Sequence, residues 1–178
     1  MFGFGKKNDA AVVETVCSKI RPLFGILEHR LGRIPAELTR DAYVVGYVVN
    51  MALIFAMVET KGRANAELKG LASLAGLQTA FASLNMSMQD ASASMKMMVG
   101  NPDAKRGGDA ADLILGIGAG INDRNSDPRV LAARKAVEAM PASIRETLGG
   151  NEKALILNEL QEQLFFAPIE ATYGARSA

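Results

Sequence analysis

A run of 17 residues without a charged side chain, Ala42 to Val58, constrains the fold of this chain more than any other feature. Asp41 and Glu59 flank the run. As a helix it would be about 26 Å long, which is shorter than the roughly 30 Å hydrocarbon core of a bilayer. Asn50, near its centre, would need a hydrogen-bonding partner in lipid. We therefore predict a central helix buried on all sides by neighbouring helices, with membrane association through residues 42–58 as the less favoured alternative.

The composition limits which kinds of site the chain can build. Its 178 residues are enough to bury a core without metal or disulfide staples. A single Cys excludes an internal disulfide framework, and a single His excludes a metal site with two histidines from one chain. The net charge of +1 gives no electrostatic reason to expect nucleic acid as a partner. We therefore predict no metal site, no cofactor and no nucleic-acid binding.

Apolar residues recur at helical spacing along most of the chain, and no alternating run typical of a strand is found. Pro22 lies within the first apolar pattern, where it would either kink a helix or split it in two. Thr39 is the predicted N-cap of the second helix. The pattern predicts an all-α, single-domain bundle of about seven or eight helices. The predicted helices cover approximately residues 8–31, 39–61, 64–77, 77–98, 109–120, 128–140, 143–148 and 151–167.

The clearest periodic signal is an apolar heptad seam in the charge-poor centre of the chain. Between Lys69 and Lys96 the only charged residue is Asp90. A coiled-coil helix with free outer faces normally carries charges beside its seam. We therefore expect this helix to pack on more than one side, within the core or against a second subunit. The seam residues are Leu77, Phe81, Leu84, Met88, Ala91, Met95 and Met98.

Breaker residues indicate where the domain could be subdivided. Residues 101–108, NPDAKRGG, are polar and rich in turn formers, so we predict a loop there and a possible sub-boundary within the domain 1–178. The N-terminal stub 1–7 and the C-terminal tail 172–178 are predicted to be mobile. The dipeptide Asp127–Pro128 is a typical helix start, with an N-cap followed by proline at the first helical position.

Several short motifs resemble functional sites, but each departs from the pattern that its chemistry requires. The segment GIGAGIN, residues 116–122, has Ile121 where a dinucleotide-binding loop needs a third glycine. The run from Asp123 to Asp127 resembles a calcium loop but has Arg134 at the position of the bidentate glutamate. His29 lies between two charged residues with no nucleophile pattern nearby. We therefore predict no catalytic residue and rank an enzymatic function last.

The sequence favours an interaction protein over a catalyst. We predict a cytoplasmic, non-enzymatic helical assembly protein that forms a homodimer or binds a protein partner. The alternative is a binder of a small apolar molecule, such as a lipid or isoprenoid, in a pocket between helices. The residues predicted to line the interface or the pocket are Tyr47, Asn50, Phe55, Phe81, Met88, Met95 and Met98.

Overall fold

The computed structural model describes residues 4–120 and 126–174, with side chains from Asn8 onward, and shows an all-α protein. No strand occurs in these two ranges. The fold-class prediction is therefore confirmed. Two 3₁₀ turns, Ala36–Arg40 and Ala82–Leu84, lie between helices. The helices are α1 (Phe4–Leu31), α2 (Ala42–Glu59), α3 (Ala66–Ala80), α4 (Met88–Met97), α5 (Pro102–Ala119), α6 (Pro128–Ala139), α7 (Ala142–Thr147) and α8, which begins as Glu152–Gln161 and continues through a π turn, Glu162–Phe166, into Ala167–Tyr173.

The chain divides into two compact units, and the division falls within α5. The first unit ends at Asp112 and the second begins at Leu113. The predicted loop at residues 101–108 is wrong, because α5 begins at Pro102 and includes the rest of this segment. Asn101 and Pro102 start that helix instead of breaking the chain: the Asn101 side-chain oxygen accepts hydrogen bonds from the backbone N–H groups of Asp103 and Ala104.

The core of the first unit is formed by α1, α2 and α3, which pack against one another. The apolar face predicted for α1 is buried, including Ile20 and Phe24. Phe24 contacts Phe81 edge to face, with ring centroids 5.5 Å apart. α1 runs without a break through Pro22, which lies on the exposed side of the helix, where a carbonyl group that lacks its backbone donor is accessible to solvent.

α2 is the central helix of this unit, as its uncharged sequence predicts. It packs on α1, α3 and α4. Its N-cap is Asp41, not the predicted Thr39, because the Asp41 carboxylate accepts a hydrogen bond from the backbone N–H of Val44 at 3.1 Å. Within the described ranges it is the one helix that is long and apolar enough to cross a membrane, and half of its 18-residue window is buried inside the protein.

The predicted heptad seam does not form a single helix. α3 ends at Ala80, and after a 3₁₀ turn Asn85 adopts a left-handed conformation with a φ of 53°. Ser87 then begins α4 with a capping box, in which its hydroxyl accepts from the N–H of Asp90 and the Asp90 carboxylate accepts from the N–H of Ser87. The seam is therefore divided between α3, which contributes Leu77 to the core, and the shorter α4.

α5 crosses α2 so closely that glycine is required on both helices. A Cβ atom at Gly46 would overlap the backbone of Ala104, and a Cβ atom at Gly107 would overlap the carbonyl group of Tyr43. Because only glycine lacks that atom, the two backbones can approach to direct contact. Beside the crossing, the side-chain amide of Asn50 donates a hydrogen bond to the Gly108 carbonyl oxygen at 2.6 Å. Asn50 thus has a partner on α5.

In the second unit, α6 packs against α8. The predicted start of α6 is confirmed, since the Asp127 side chain accepts from the N–H of Arg129. The prediction that the last helix ends before Pro168 is wrong. The π turn directly before Pro168 changes the hydrogen-bond register, which allows the helix to pass the proline. The predicted mobile segments 1–7 and 172–178 are wrong where helices extend into them, since α1 begins at Phe4 and α8 continues to Tyr173. Residues 1–3 and 175–178 lie outside the described residues.

Adjacent glycines of α5 provide a test of the close crossing. Gly107→Ala should destabilise the protein by about 1–3 kcal/mol, because the new methyl group must displace the Tyr43 backbone. Gly108→Ala is the matched control: its Cβ would lie 3.5 Å from the Asn50 Cβ, an ordinary contact, so the variant should gain about 0.5–1 kcal/mol from helix propensity. Urea unfolding measures both changes, and equal effects of the two substitutions would contradict the crossing geometry.

Candidate functional site

A cavity of the first unit lies between α2 and the start of α5. Its volume is about 600 Å³, within the range of small-molecule pockets. Two residues predicted for a site, Asn50 and Met98, line it. The cavity is bounded by residues of α2, of α5 and of the turn between α4 and α5: Gly46, Val49, Asn50, Leu53, Met98, Gly100, Asn101, Pro102, Ala104, Lys105, Gly108 and Asp109.

The polar groups of this cavity are held in place by hydrogen bonds to backbone. Asn50 uses its amide nitrogen on the Gly108 carbonyl, and Asn101 uses its side-chain oxygen on the first turn of α5. At the exposed edge, the Lys105 ammonium group lies 3.0 Å from the Asp109 carboxylate, one helical turn away. The cavity therefore presents two oriented amides and one neutralised charge pair.

α4 has its smallest side chains inside and its larger apolar side chains outside. Ala91 and Ser94 are its buried residues, and the Ser94 hydroxyl donates a hydrogen bond to the Thr39 carbonyl oxygen at 2.7 Å. Met88, by contrast, is 48% exposed, and Val99 in the following turn is 87% exposed. Helices that serve only as part of a core have the opposite arrangement.

One flank of α4 and the turn that follows it carry uncharged residues. Met88, Ser92 and Met95 are separated by four and three positions, which places them along one line on α4, and Val99 lies in the turn two residues beyond the end of the helix. Ser92 and Met95 are half-buried. We call these four residues the α4 stripe. On the other flank, Met97 borders a separate cavity of about 240 Å³ that also contains Met86.

The remaining predicted site residues lie elsewhere in the first unit. Tyr47 and Phe81 are fully buried in the helical core, where they have a packing role. Phe55 is half-buried on α2. The seven predicted residues thus occupy the core, the α4 stripe and the cavity between α2 and α5, and they do not form one site.

The α5 side of the cavity is not evident from the sequence pattern, because the turn-forming residues of segment 101–108 predict a loop. The signal was present: Asn101–Pro102 has the same N-cap and proline order as Asp127–Pro128. Extending the helix from there places Ala104 and Gly108 one turn apart on the same face, a small-residue pair like that of Ala42 and Gly46 on α2.

Within the described ranges, no group of three or more His, Cys, Asp or Glu side chains could hold a metal ion. His29 is exposed on α1. Gly116 and Gly118 lie inside α5 and not in a phosphate-binding loop after a strand. Asp123 and Asn125 of the calcium-like run lie outside the described residues.

The second unit contains a cavity of about 460 Å³ near α7. Arg134 and Arg145 line it together with Glu138, Glu146 and Glu152. Because both signs of charge are present, the lining does not select an anionic or a cationic ligand.

No family model, curated protein or solved structure matches this chain.

The buried hydroxyl of Tyr47 predicts a measurable alkaline response. Burial raises the pKa of Tyr47 far above its ordinary value, and Tyr43 raises it further. Unfolded Tyr47 ionises near pH 10, so the stability that neutral Tyr47 contributes below about pH 10 should be lost as the pH rises above it. Absorbance titration of the native protein should show one fewer tyrosinate near pH 11 than titration in urea.

The variants Tyr47→Phe and Tyr43→Phe separate this effect from the other tyrosines. Tyr47→Phe should reduce the difference between the native and the urea titration by one tyrosinate, whereas Tyr43→Phe should retain the contribution of Tyr47. Ionisation of all three tyrosines near pH 10, in protein that keeps its native circular dichroism spectrum, would contradict the raised pKa of Tyr47.

Proposed function

We propose that the protein is a non-enzymatic helical assembly protein that forms a homodimer through the α4 stripe. The observation that carries this proposal is the arrangement of α4, which buries Ala91 and Ser94 and exposes Met88 and Val99. Exposed apolar residues scattered singly are common, but here Met88 and Val99 lie at the two ends of one uncharged flank whose middle, Ser92 and Met95, is half-buried, and such a flank suits contact with another helix.

The chemistry of the stripe suits association with another helix. None of its four residues is charged, so pairing requires no desolvation of an ion. Its spacing of four, three and four is that of a heptad seam. The unbranched methionines can adapt to the shape of the facing surface.

A second copy of α4, placed antiparallel, is complementary to the first. In that arrangement Met88 faces Val99 of the other copy, and Met95 faces Ser92. Large side chains then lie opposite smaller ones, which allows interdigitation. A two-fold interface repeats each contact. α4 carries one acidic and one basic residue, Asp90 and Lys96, so two copies do not repel.

The membrane alternative receives less support than assembly. Nine residues of α2 are buried, and they face neighbouring helices that would have to separate for the helix to enter lipid. A cytoplasmic location and the absence of catalysis remain parts of the proposal.

Light scattering coupled to size exclusion tests the dimer. When the protein concentration is varied about hundredfold, the measured mass of the wild-type protein should approach that of two chains. The double variant Met88→Glu, Val99→Glu should elute as one chain, because two added carboxylates would face the partner. The matched control is Ile144→Glu, Leu148→Glu in the second unit, at residues that are 48% and 51% exposed. This control should remain dimeric.

A wild-type mass of one chain at every concentration would overturn the proposal. So would a dimer that dissociates in the Ile144, Leu148 control but not in the α4 variant, because the interface would then lie in the second unit. Circular dichroism of each variant verifies that its helical content is unchanged.

Disulfide trapping tests the antiparallel register. In a Cys17→Ala background, Met88→Cys combined with Val99→Cys should crosslink into covalent dimers under mild oxidation. The two sites of one chain are about 16 Å apart along the helix, too far for an intrachain disulfide. Each single-cysteine variant should crosslink poorly, because identical positions are equally far apart in an antiparallel pair. Efficient crosslinking of Met88→Cys alone would contradict the antiparallel arrangement.

A further inference from the structure

We propose that the cavity between α2 and α5 binds a neutral amphiphile, an aliphatic or isoprenoid alcohol, with its hydroxyl between Asn50 and Asn101. None of the cavity residues belongs to the α4 stripe. The inference therefore does not depend on the proposed dimer.

The cavity lies beside the crossing of α2 and α5 and is formed by that crossing. Contact between Gly46 and the Ala104 backbone holds α2 against α5, and the cavity lies beside that contact. The hydrogen bond from Asn50 to the Gly108 carbonyl joins the same two helices. The walls are thus positioned before any ligand arrives, which reduces the entropic cost of binding.

The lining of the cavity is partly apolar. Val49 and Leu53, one turn apart on α2, form one side, and Met98 and Pro102 contribute from the other segments. Val49 is buried, whereas Leu53 and Met98 are half-buried, so part of their apolar surface remains available. An aliphatic chain would cover that surface, and burial of apolar area favours binding by about 25 cal/mol per Å².

The side-chain amides of Asn50 and Asn101 retain hydrogen-bonding capacity. The Asn50 nitrogen and the Asn101 oxygen are engaged with α5 backbone. Within residues 4–120 and 126–174, neither the side-chain oxygen of Asn50 nor the side-chain nitrogen of Asn101 takes part in a hydrogen bond. The Asn50 oxygen can therefore accept a hydrogen bond and the Asn101 nitrogen can donate one, which together complement a hydroxyl group.

The charged residues at the edge of the cavity offset each other. Lys105 and Asp109 at the cavity edge form an ion pair and contribute no net charge. Because the two charges offset each other, the pair offers no net attraction to an anionic or a cationic head group. A neutral head group avoids the desolvation of an ion.

The experiment compares three probes that share one tail: octan-1-ol, octanoate and octylammonium. Each is titrated into the full-length, isotopically labelled protein at neutral pH, and amide and methyl resonances are recorded. Octan-1-ol should give saturable shifts at the side-chain amides of Asn50 and Asn101 and at the methyl groups of Leu53 and Met98. The charged probes should bind at least about tenfold more weakly.

Neighbouring methionines provide matched variants. Met98→Glu introduces a carboxylate into the cavity and should weaken octan-1-ol binding by at least about tenfold. Met97→Glu alters the next residue, which lines a different cavity, and should leave the affinity within about twofold of wild type. Neither substitution touches the α4 stripe, so light scattering should give the same mass for both variants and for the wild type.

Three results would overturn the inference. The first is the absence of saturable binding of octan-1-ol. The second is octanoate or octylammonium binding as tightly as the alcohol, since recognition would then involve the tail alone or a charge. The third is localisation of the shifts at Met88, Met95 and Val99, which would place the probe on the α4 stripe.

Discussion

The contact between the backbones of α2 and α5 is the constraint on which the first unit depends. It requires glycine at residues 46 and 107, and it aligns Asn50 with the Gly108 carbonyl. A polar amide in an uncharged helix would be costly without a partner. The same crossing that satisfies Asn50 also leaves the cavity beside it, so that one packing contact accounts for both the buried central helix and the candidate ligand site.

α4 shows how tertiary packing can leave an apolar surface available. The helix approaches its neighbours through Ala91 and Ser94, and the Ser94 hydrogen bond to Thr39 holds it there. Because small residues occupy the inner face, the methionines are directed to the flanks. Such an arrangement contributes little to the core, and it suits a surface that packs against another helix.

Much of the fold could be predicted from the sequence, because its signals are local. The apolar faces of α1 and α2 and the start of α6 at Asp127–Pro128 follow from spacing and capping chemistry. The errors arose where one local signal competed with another. The seam from Leu77 to Met98 has heptad spacing, yet the left-handed Asn85 and the Ser87 capping box interrupt the helix. Residues 101–108 contain turn formers, yet Asn101 and Pro102 start α5.

The sequence by itself determined the helical class, the absence of a disulfide framework and the uncharged character of the central helix, since these depend on composition and spacing. Only the tertiary structure decided which apolar residues are core and which are available. Tyr47 and Phe81 are enclosed, whereas Met88 is exposed and Asn50 borders a cavity. The physical reason is that periodicity identifies the face of a helix that is apolar, but the neighbours that cover this face are set by contacts between residues distant in sequence, such as Gly107 with Tyr43.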